Sequence, residues 1–307
     1  MSGPDLFTSP CGLAAADPGL LGDAVVGAWD DFLALASSAD LGRPSRLEGW
    51  TGREACIHLG SWDDHVVLDG LVAAARSGGG PEPVQTDAGH ARLVAAHRDA
   101  TRQDVLAALR RSRDDLEAWF EGPEPAELGR ALVRSSVGDL PLLSLLHAGC
   151  YELSVHALDL APCGADAPSG FLLERGLGAL LDVTGALAAR HHIDLTVTAQ
   201  TPEGGWAFSS SSDGWTTERV TAGPYEGVGV RGTAPDLLDV SAGRVALPGL
   251  LVSRRIVVQQ LPSFMRLAPI LSEVPGLPGG AALRAGVTGL SAVGGGITRL
   301  VGRLTRR

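Results

Sequence analysis

The first half of the chain carries apolar residues at the spacing of amphipathic helices. Four segments place apolar side chains three or four positions apart: residues 24–38, 51–76, 101–120 and 140–160. Asp23 is placed to cap the first helix, and Thr51 with Glu54 forms a capping box at the start of the second. Four amphipathic helices joined by loops predict a four-helix bundle.

The pattern changes after Pro162. Residues 171–191 still have a helical period, but from Asp194 the period shortens to two, which is typical of strands. Short strands are predicted at residues 195–199, 205–208, 215–220 and 227–230. Thr233 marks the start of a further helix at residues 233–242. This half of the chain therefore predicts an α+β fold with an antiparallel sheet.

These patterns divide the chain into three parts. We predict a two-domain α+β protein, with a helical bundle at residues 18–165, an α+β domain at residues 168–262 and a Gly/Arg-rich tail at residues 263–307. From Val274 onward the tail contains nine glycines, five arginines and no acidic residue. Its glycines favour a loosely ordered segment, and the alternative is a weak amphipathic helix that contacts a membrane or a partner.

Composition and charge narrow the function classes. The formal net charge of −10 argues against nucleic-acid binding, and all 25 basic residues are arginines, which excludes lysine Schiff-base chemistry and lysine phosphate loops. No apolar run is long enough for a transmembrane helix, and the first residues do not resemble a secretory signal. The four cysteines form no Cys-x-x-Cys pair, so we expect a cytoplasmic protein whose metal ligands are His and carboxylate.

Glu152 and His156 are the clearest candidates for chemistry. Their i, i+4 spacing places both side chains on one face of a helix, about one turn apart. His58 on the second predicted helix, projecting into the bundle, would complete a set of two imidazoles and one carboxylate. Three such ligands with one open position are typical of catalytic zinc, although iron, nickel or manganese would accept the same ligands.

A different interpretation of Glu152 and His156 is a solvated i, i+4 pair, which is common on helices. Their apolar neighbours Leu153 and Val155 argue against it, because an unpaired carboxylate among apolar side chains is costly. Spacing alone leaves the two interpretations about equal.

Other histidines and cysteines near these residues are predicted to have no part in the site. Acidic neighbours place His65 near the surface, and His147 lies on a different helix face from the proposed ligands. Cys56 and Cys150 each lie two residues from a proposed ligand, which on a helix is also a different face. We therefore expect neither thiol to bind the metal or to act as a nucleophile.

Two motifs carry a resemblance to a known family. Residues 47–60 (LEGWTGREACIHLG) resemble the motif that opens the metal-binding second helix of the DinB-like bundle in mycothiol-dependent maleylpyruvate isomerases. Residues 152–160 (ELSVHALDL) resemble the second metal motif of that family, and the whole resemblance covers about residues 20–160. Residues 230–244 (VRGTAPDLLDVSAGR) are similar to a segment of the sterol-carrier-protein-like domain that follows the bundle.

The resemblance implies thiol chemistry at a metal. His58, Glu152 and His156 would bind a divalent metal, expected to be zinc, whose open position takes the sulfur of mycothiol. The resulting thiolate would attack a small electrophilic substrate, expected to be anionic, in an isomerase or an S-transferase. If the second domain closes over the metal site, Arg244 and Arg231 are the candidates for holding that anion, because a guanidinium binds a carboxylate with two hydrogen bonds. For Arg231 the alternative is a solvated position at a strand end.

Asp159 and Gly149 also bear on the predicted site, and two other functions fit the same sequence. Asp159, three residues after His156, is placed to orient a ligand imidazole, and the alternative is a solvated residue at the helix end. Gly149 stands where family members often carry an arginine, and this departure leaves the substrate open. A metal-dependent hydrolase would use the same ligands with water in place of the thiol. A non-catalytic protein that binds a lipid or another small ligand in the second domain is the other alternative.

Overall fold

The structure is a computed structural model that describes residues 10–63, 66–80 and 87–273 of the 307-residue chain. A helical N-terminal region is followed by a sheet-containing C-terminal region, so the predicted α+β class is confirmed. Among the described residues, none of the helices combines the length and the hydrophobicity of a membrane span. His65 and the tail from Val274 onward lie outside the described residues.

The N-terminal region is built from helices and one hairpin. In chain order, its elements are α1 (Pro18–Ser38), α2 (Gly52–Ile57), α3 (Val67–Arg76), α4 (Asp87–Ala96), α5 (Arg102–Glu121), α6 (Glu124–Leu128), β1 (Leu132–Ser135), β2 (Gly138–Pro141) and α7 (Leu142–Asp159).

Three long helices form the centre of this region, with α1 packed against both α5 and α7. α1 begins earlier than predicted, because the carboxylate of Asp17 accepts a hydrogen bond from Leu20 N at 3.1 Å and Pro18 occupies the first helical position. Asp17 is therefore the cap, and the prediction of Asp23 was wrong. The apolar face of α1 is buried as the pattern indicated, with Ala28 and Phe32 fully enclosed.

The predicted second helix, residues 51–76, is divided into α2 and α3 by a loop that begins at His58. In this loop the chain passes directly against α5. A Cβ atom on Gly60 would lie 2.8 Å from the Cβ of Ala108, and Ser61 N donates to the Ala108 carbonyl at 3.0 Å. Helical continuation would break this close contact, so tertiary packing overrides the helical period.

The sequence pattern predicts neither α4 nor the β1–β2 hairpin. The hairpin pairs Leu132 with Pro141 and Ser135 with Gly138, and Gly138 has a φ of 97° that favours glycine. β2 continues directly into α7, which explains why this helix begins at Leu142 rather than at the predicted residue 140.

The C-terminal region begins with a long helix and continues into a five-stranded sheet. Its elements are α8 (Gly170–Arg190), β3 (Leu195–Thr201), β4 (Gly204–Ser211), β5 (Gly214–Val220), β6 (Gly229–Arg231), α9 (Ala234–Ser241), α10 (Leu247–Val252), β7 (Val257–Gln259), α11 (Leu261–Phe264) and α12 (Ala268–Glu273).

The sheet has the strand order β5-β4-β3-β6-β7 and is mixed. β6 runs parallel to β3, with Val230 opposite Ala199, whereas the other neighbours are antiparallel. The prediction of an antiparallel sheet was therefore wrong for this pair. Because β5 forms one edge, the chain after it has to pass β4 and β3 before β6 begins, and it enters β6 in the direction of β3.

α8 lies between α7 and the sheet and contacts both. Two of its glycines allow aromatic rings of the sheet to approach closely. A Cβ atom on Gly178 would lie 2.7 Å from the ring of Trp206, and one on Gly185 would lie 2.8 Å from the ring of Trp215. The helix therefore belongs to the cores of both regions.

A buried carboxylate on α8 joins several elements. Asp182 Oδ1 accepts hydrogen bonds from Leu13 N at 2.9 Å, Trp215 Nε1 at 2.9 Å and Thr217 Oγ1 at 2.7 Å. Its Oδ2 accepts a fourth bond from Ser144 Oγ at 3.0 Å. The chain before α1, α7 and β5 are thus connected through one side chain that is 1% exposed.

Replacing Asp182 by Ala should destabilise the protein by about 3 kcal/mol or more, because four buried donors lose their acceptor. Denaturant unfolding of the variant and the unaltered protein measures this difference. Asp194→Ala is the matched control, since Asp194 is exposed, and it should change stability by no more than about 0.5 kcal/mol. Equal stability of the two variants would contradict the assigned role of Asp182.

Candidate metal centre

The structure brings His58, Glu152 and His156 together. His58 is the residue that ends α2, and the other two lie one turn apart on α7. One nitrogen or oxygen from each residue lies within 4.8 Å of those of the other two. His156 Nε2 lies 3.5 Å from Glu152 Oε2, and the rings of His58 and His156 have centroids 4.5 Å apart. The predicted convergence of two helices is thus present.

The surroundings hold His58 and Glu152 in the protonation states that bind metals. Burial, followed by the neighbouring His156 and His90 rings, lowers the pKa of His58 to about 3. Burial acts to raise the pKa of Glu152, but the hydrogen bond and charge of His156 outweigh it and lower this pKa to about 2. At neutral pH His58 is therefore a neutral imidazole and Glu152 an ionised carboxylate, the forms that bind metals.

Asp159 and Arg244 lie behind His156. His156 Nδ1 is 3.1 Å from Asp159 Oδ2, and the Asp159 side chain is fully buried. Arg244 donates to this carboxylate from Nε at 2.9 Å and from Nη2 at 2.8 Å. Burial acts to lower the pKa of His156, but its contacts with Asp159 and Glu152 raise it overall. Asp159 thus lies beside a cluster imidazole, at the position that its spacing from His156 predicts.

The position of Arg244 does not suit the predicted role of binding an anionic substrate. Besides its two bonds to Asp159, it donates from Nη1 to the carbonyl of Ala242 at 3.0 Å. Arg244 is also not among the residues that line the cavity beside the cluster. It is therefore placed to hold Asp159 rather than to contact a ligand.

The position of Arg231 suits the binding of an anionic substrate even less than that of Arg244. Its Nη2 donates to Gln200 Oε1 at 3.3 Å, and it lines a cavity together with Arg254 and Arg255. This cavity shares no lining residue with the cavity that contains His58. The reason is strand alternation, since Val230 faces the first cavity and its neighbour in β6 faces the opposite side.

His58 and Glu152 line a cavity of about 400 Å³. His90 on α4 also lines it, with its ring centroid 5.4 Å from that of His58. His90 is not predicted from the sequence, because the weakly patterned segment around it gives no helical signal. Tyr151 also lines the cavity, and its hydroxyl lies 3.1 Å from Ser241 Oγ in the C-terminal region.

These residues fit a divalent metal. In a tetrahedral site with bonds of about 2.0–2.1 Å, two ligand atoms lie about 3.3 Å apart. The 3.5 Å between His156 Nε2 and Glu152 Oε2 is close to this distance. Two imidazoles and a carboxylate are the donors of catalytic zinc sites.

The neighbouring histidine and cysteines stay outside the cluster. His147 is enclosed in the core, where burial, followed by the charge of Arg175, lowers its pKa to about 3. Cys56 and Cys150 are fully buried and are not among the groups that converge with His58. Their positions agree with the prediction that both cysteines lie on a different helix face from the proposed metal ligands.

Comparison with known proteins gives a family match. The family described as mycothiol maleylpyruvate isomerase N-terminal domain matches residues 23–161, which contain all three cluster residues. The family resemblance that the sequence motifs indicated is thereby confirmed. No curated protein matches the chain.

Three solved structures are similar at low identity. A crystal structure of the mycothiol-dependent maleylpyruvate isomerase is 22% identical, with a TM-score of 0.45, and covers 74% of this chain and 88% of that chain. A histidine-to-alanine mutant of such an isomerase is 21% identical, with the same coverage and TM-score. A stereoselective inverting sec-alkylsulfatase from Pseudomonas sp. is 14% identical, with a TM-score of 0.24, over 72% of this chain and 32% of that chain.

We expect the cysteines to be unreactive in the folded protein. All four are free and buried, and burial raises the pKa of Cys150 to about 12 and also raises that of Cys56. Because the thiolate is the reactive form, native thiols should react with Ellman's reagent at least about 100-fold more slowly than those of the unfolded chain. Stopped-flow absorbance checks this, and a thiol that reacts as fast as free cysteine would contradict it.

Proposed function

Because residues 23–161 belong to the family of mycothiol maleylpyruvate isomerase N-terminal domains, we propose that this protein is a metal-dependent enzyme that uses mycothiol. Its substrate would be an electrophile, and its reaction an isomerisation or an S-transfer. The observation that carries the proposal is the convergence of His58, Glu152 and His156 beside a cavity. Three ligands leave one position open for a thiol, as catalytic zinc sites do for water or substrate.

The three cluster residues have one shared part in the proposal. His58, Glu152 and His156 would hold the metal, which we expect to be zinc. When bound, the metal would supply mycothiol as a thiolate nucleophile for a double bond of the substrate, which an isomerase would release again after rotation and an S-transferase would keep bonded, with uptake of one proton by the other carbon. The buried side of the cluster keeps bulk water away from the imidazoles.

The residues behind the cluster would fix its geometry. In the proposal the Asp159 carboxylate, 3.1 Å from His156 Nδ1, favours the imidazole tautomer with its proton on Nδ1, which leaves the lone pair of Nε2 directed toward the cluster. Arg244 holds both oxygens of Asp159 and neutralises a carboxylate that has no contact with water. These two residues act as positioning residues in the proposal.

The C-terminal region would close the cavity. We propose that residues 168–262 form a sterol-carrier-protein-like domain, on the basis of the motif at residues 230–244. Leu237 and Val240 of α9 line the cavity that reaches His58, which supports a shared site.

Replacing His58, Glu152 or His156 by Ala should remove bound metal and lower mycothiol-dependent turnover at least about 100-fold. A double replacement should cost little more than a single one, because the three residues act as a unit. Elemental analysis gives the metal content of each purified variant, and absorbance with maleylpyruvate as the first electrophile gives turnover.

Cys150→Ser is the control for these variants, because Cys150 is close to Glu152 along the chain but lies outside the cluster. It should retain its metal, and loss of metal from this variant would contradict the assignment. Turnover that proceeds equally well without any thiol would overturn the thiol proposal and favour a hydrolase with the same metal ligands.

Asp159→Asn should weaken zinc binding by about 10- to 100-fold, because the His156 ring loses its charged acceptor. Competition with a chromophoric chelator measures the affinity, and thermal melting checks folding. Asp236→Asn is the matched control, since Asp236 is a buried carboxylate paired with Arg255 away from the cluster. An equal loss of zinc affinity in both variants would show that Asp159 acts only through stability.

A further inference from the structure

The cavity beside the cluster extends far beyond it. At one end it is lined by His58, His90 and Glu152, and at the other by Leu181 of α8 and Phe208 of β4. It therefore leads from the bundle into the space between α8 and the sheet. Its volume of about 400 Å³ falls within the range of small-molecule sites.

The wall of this cavity is nearly uncharged. Within the described lining, Glu152 is the only carboxylate and there is no arginine, and the chain contains no lysine. Beyond the histidines, the polar groups of the wall are a few hydroxyls, and the remaining side chains are mainly aliphatic. An anionic group of a ligand along this wall would lose its hydration and find no cationic side chain as a partner. Such desolvation is costly. A hydrocarbon would be stabilised there.

α7 connects the cluster with the apolar part of the cavity. Leu145, Ala148, Gly149 and Glu152 follow one another along one helix face and all line the cavity. A Cβ atom on Gly149 would meet no heavy atom within 4 Å. The space directly before Glu152 is therefore open, and a ligand can extend from the cluster along α7.

We propose that the substrate carries an extended, uncharged hydrocarbon chain that lies in this cavity, with its reactive end at His58 and Glu152. This inference rests on the proposed function for the reactive end, whereas the binding of the chain depends only on the cavity. It replaces the expected small anion with an amphipathic electrophile, since neither Arg231 nor Arg244 lines the cavity.

Displacement of the uncharged fluorescent probe N-phenyl-1-naphthylamine by linear alcohols tests whether the cavity binds a hydrocarbon chain. The full-length protein, stripped of metal and without mycothiol, is titrated with alcohols from hexanol to dodecanol. Affinity should rise about fourfold for each added methylene until the cavity is filled. Equal affinity across the series, or no binding by the full-length chain because a segment of the protein itself fills the cavity, would overturn the inference.

The variant Gly149→Leu tests where the hydrocarbon chain of the ligand lies in the cavity. Leucine suits a helix better than glycine and its side chain fills the open space before Glu152, so binding of the longest alcohols should weaken at least about tenfold. Gly70→Leu is the matched control, because Gly70 lies exposed on α3 with the same open surroundings, and it should bind like the unaltered protein. Unchanged binding by Gly149→Leu would overturn the path along α7.

The two proposals fail separately. Suppose that affinity depends on the length of the alcohol, but that the protein binds no metal and shows no thiol-dependent turnover. This result would support the cavity inference and overturn the proposed function. Thiol-dependent turnover of maleylpyruvate without chain-length dependence would support the proposed function and overturn this inference.

Discussion

The compensation of one buried carboxylate charge determines how the cluster is built. Asp159 has no contact with water, so its charge requires partners of opposite sign or hydrogen-bond donors within reach. His156 supplies one from the same helix and Arg244 supplies two from a segment 85 residues later in the chain. The orientation of the His156 ring, and with it the approach to Glu152 and His58, follows from this arrangement.

The same constraint explains how the two regions are held together. Asp182 on α8 is also a buried carboxylate, and its four donors come from elements on both sides of that helix. α7 and α8 contact each other extensively, but apolar contacts carry little directional information. Hydrogen bonds to the two carboxylates add that direction, and the pair of Asp159 with Arg244 joins the segment that follows α9 to the bundle.

The sequence predicted the elements whose signals are local. The i, i+4 spacing of Glu152 and His156 and the capping box at Thr51 depend on neighbours along one helix, and both are present. The contact that ends α2 near Gly60 depends on Ala108 in another helix, and no periodicity encodes it. The parallel pairing of β6 likewise follows from the path of the whole chain. The partner of Asp159 could not be found from one sequence, because spacing says nothing about residues far apart in the chain.

The dependence of Asp159 on Arg244 bears on the modularity of this protein. The family match ends at residue 161, so the matched part of the chain contains the carboxylate but not its guanidinium partner. Separated from the rest of the chain, that part would keep Asp159 beside its cluster with His156 but without the guanidinium, and breaking a buried ion pair by removing one partner costs about 3–5 kcal/mol. Recombination of this bundle with other domains is therefore restricted to partners that deliver a cation to the same place.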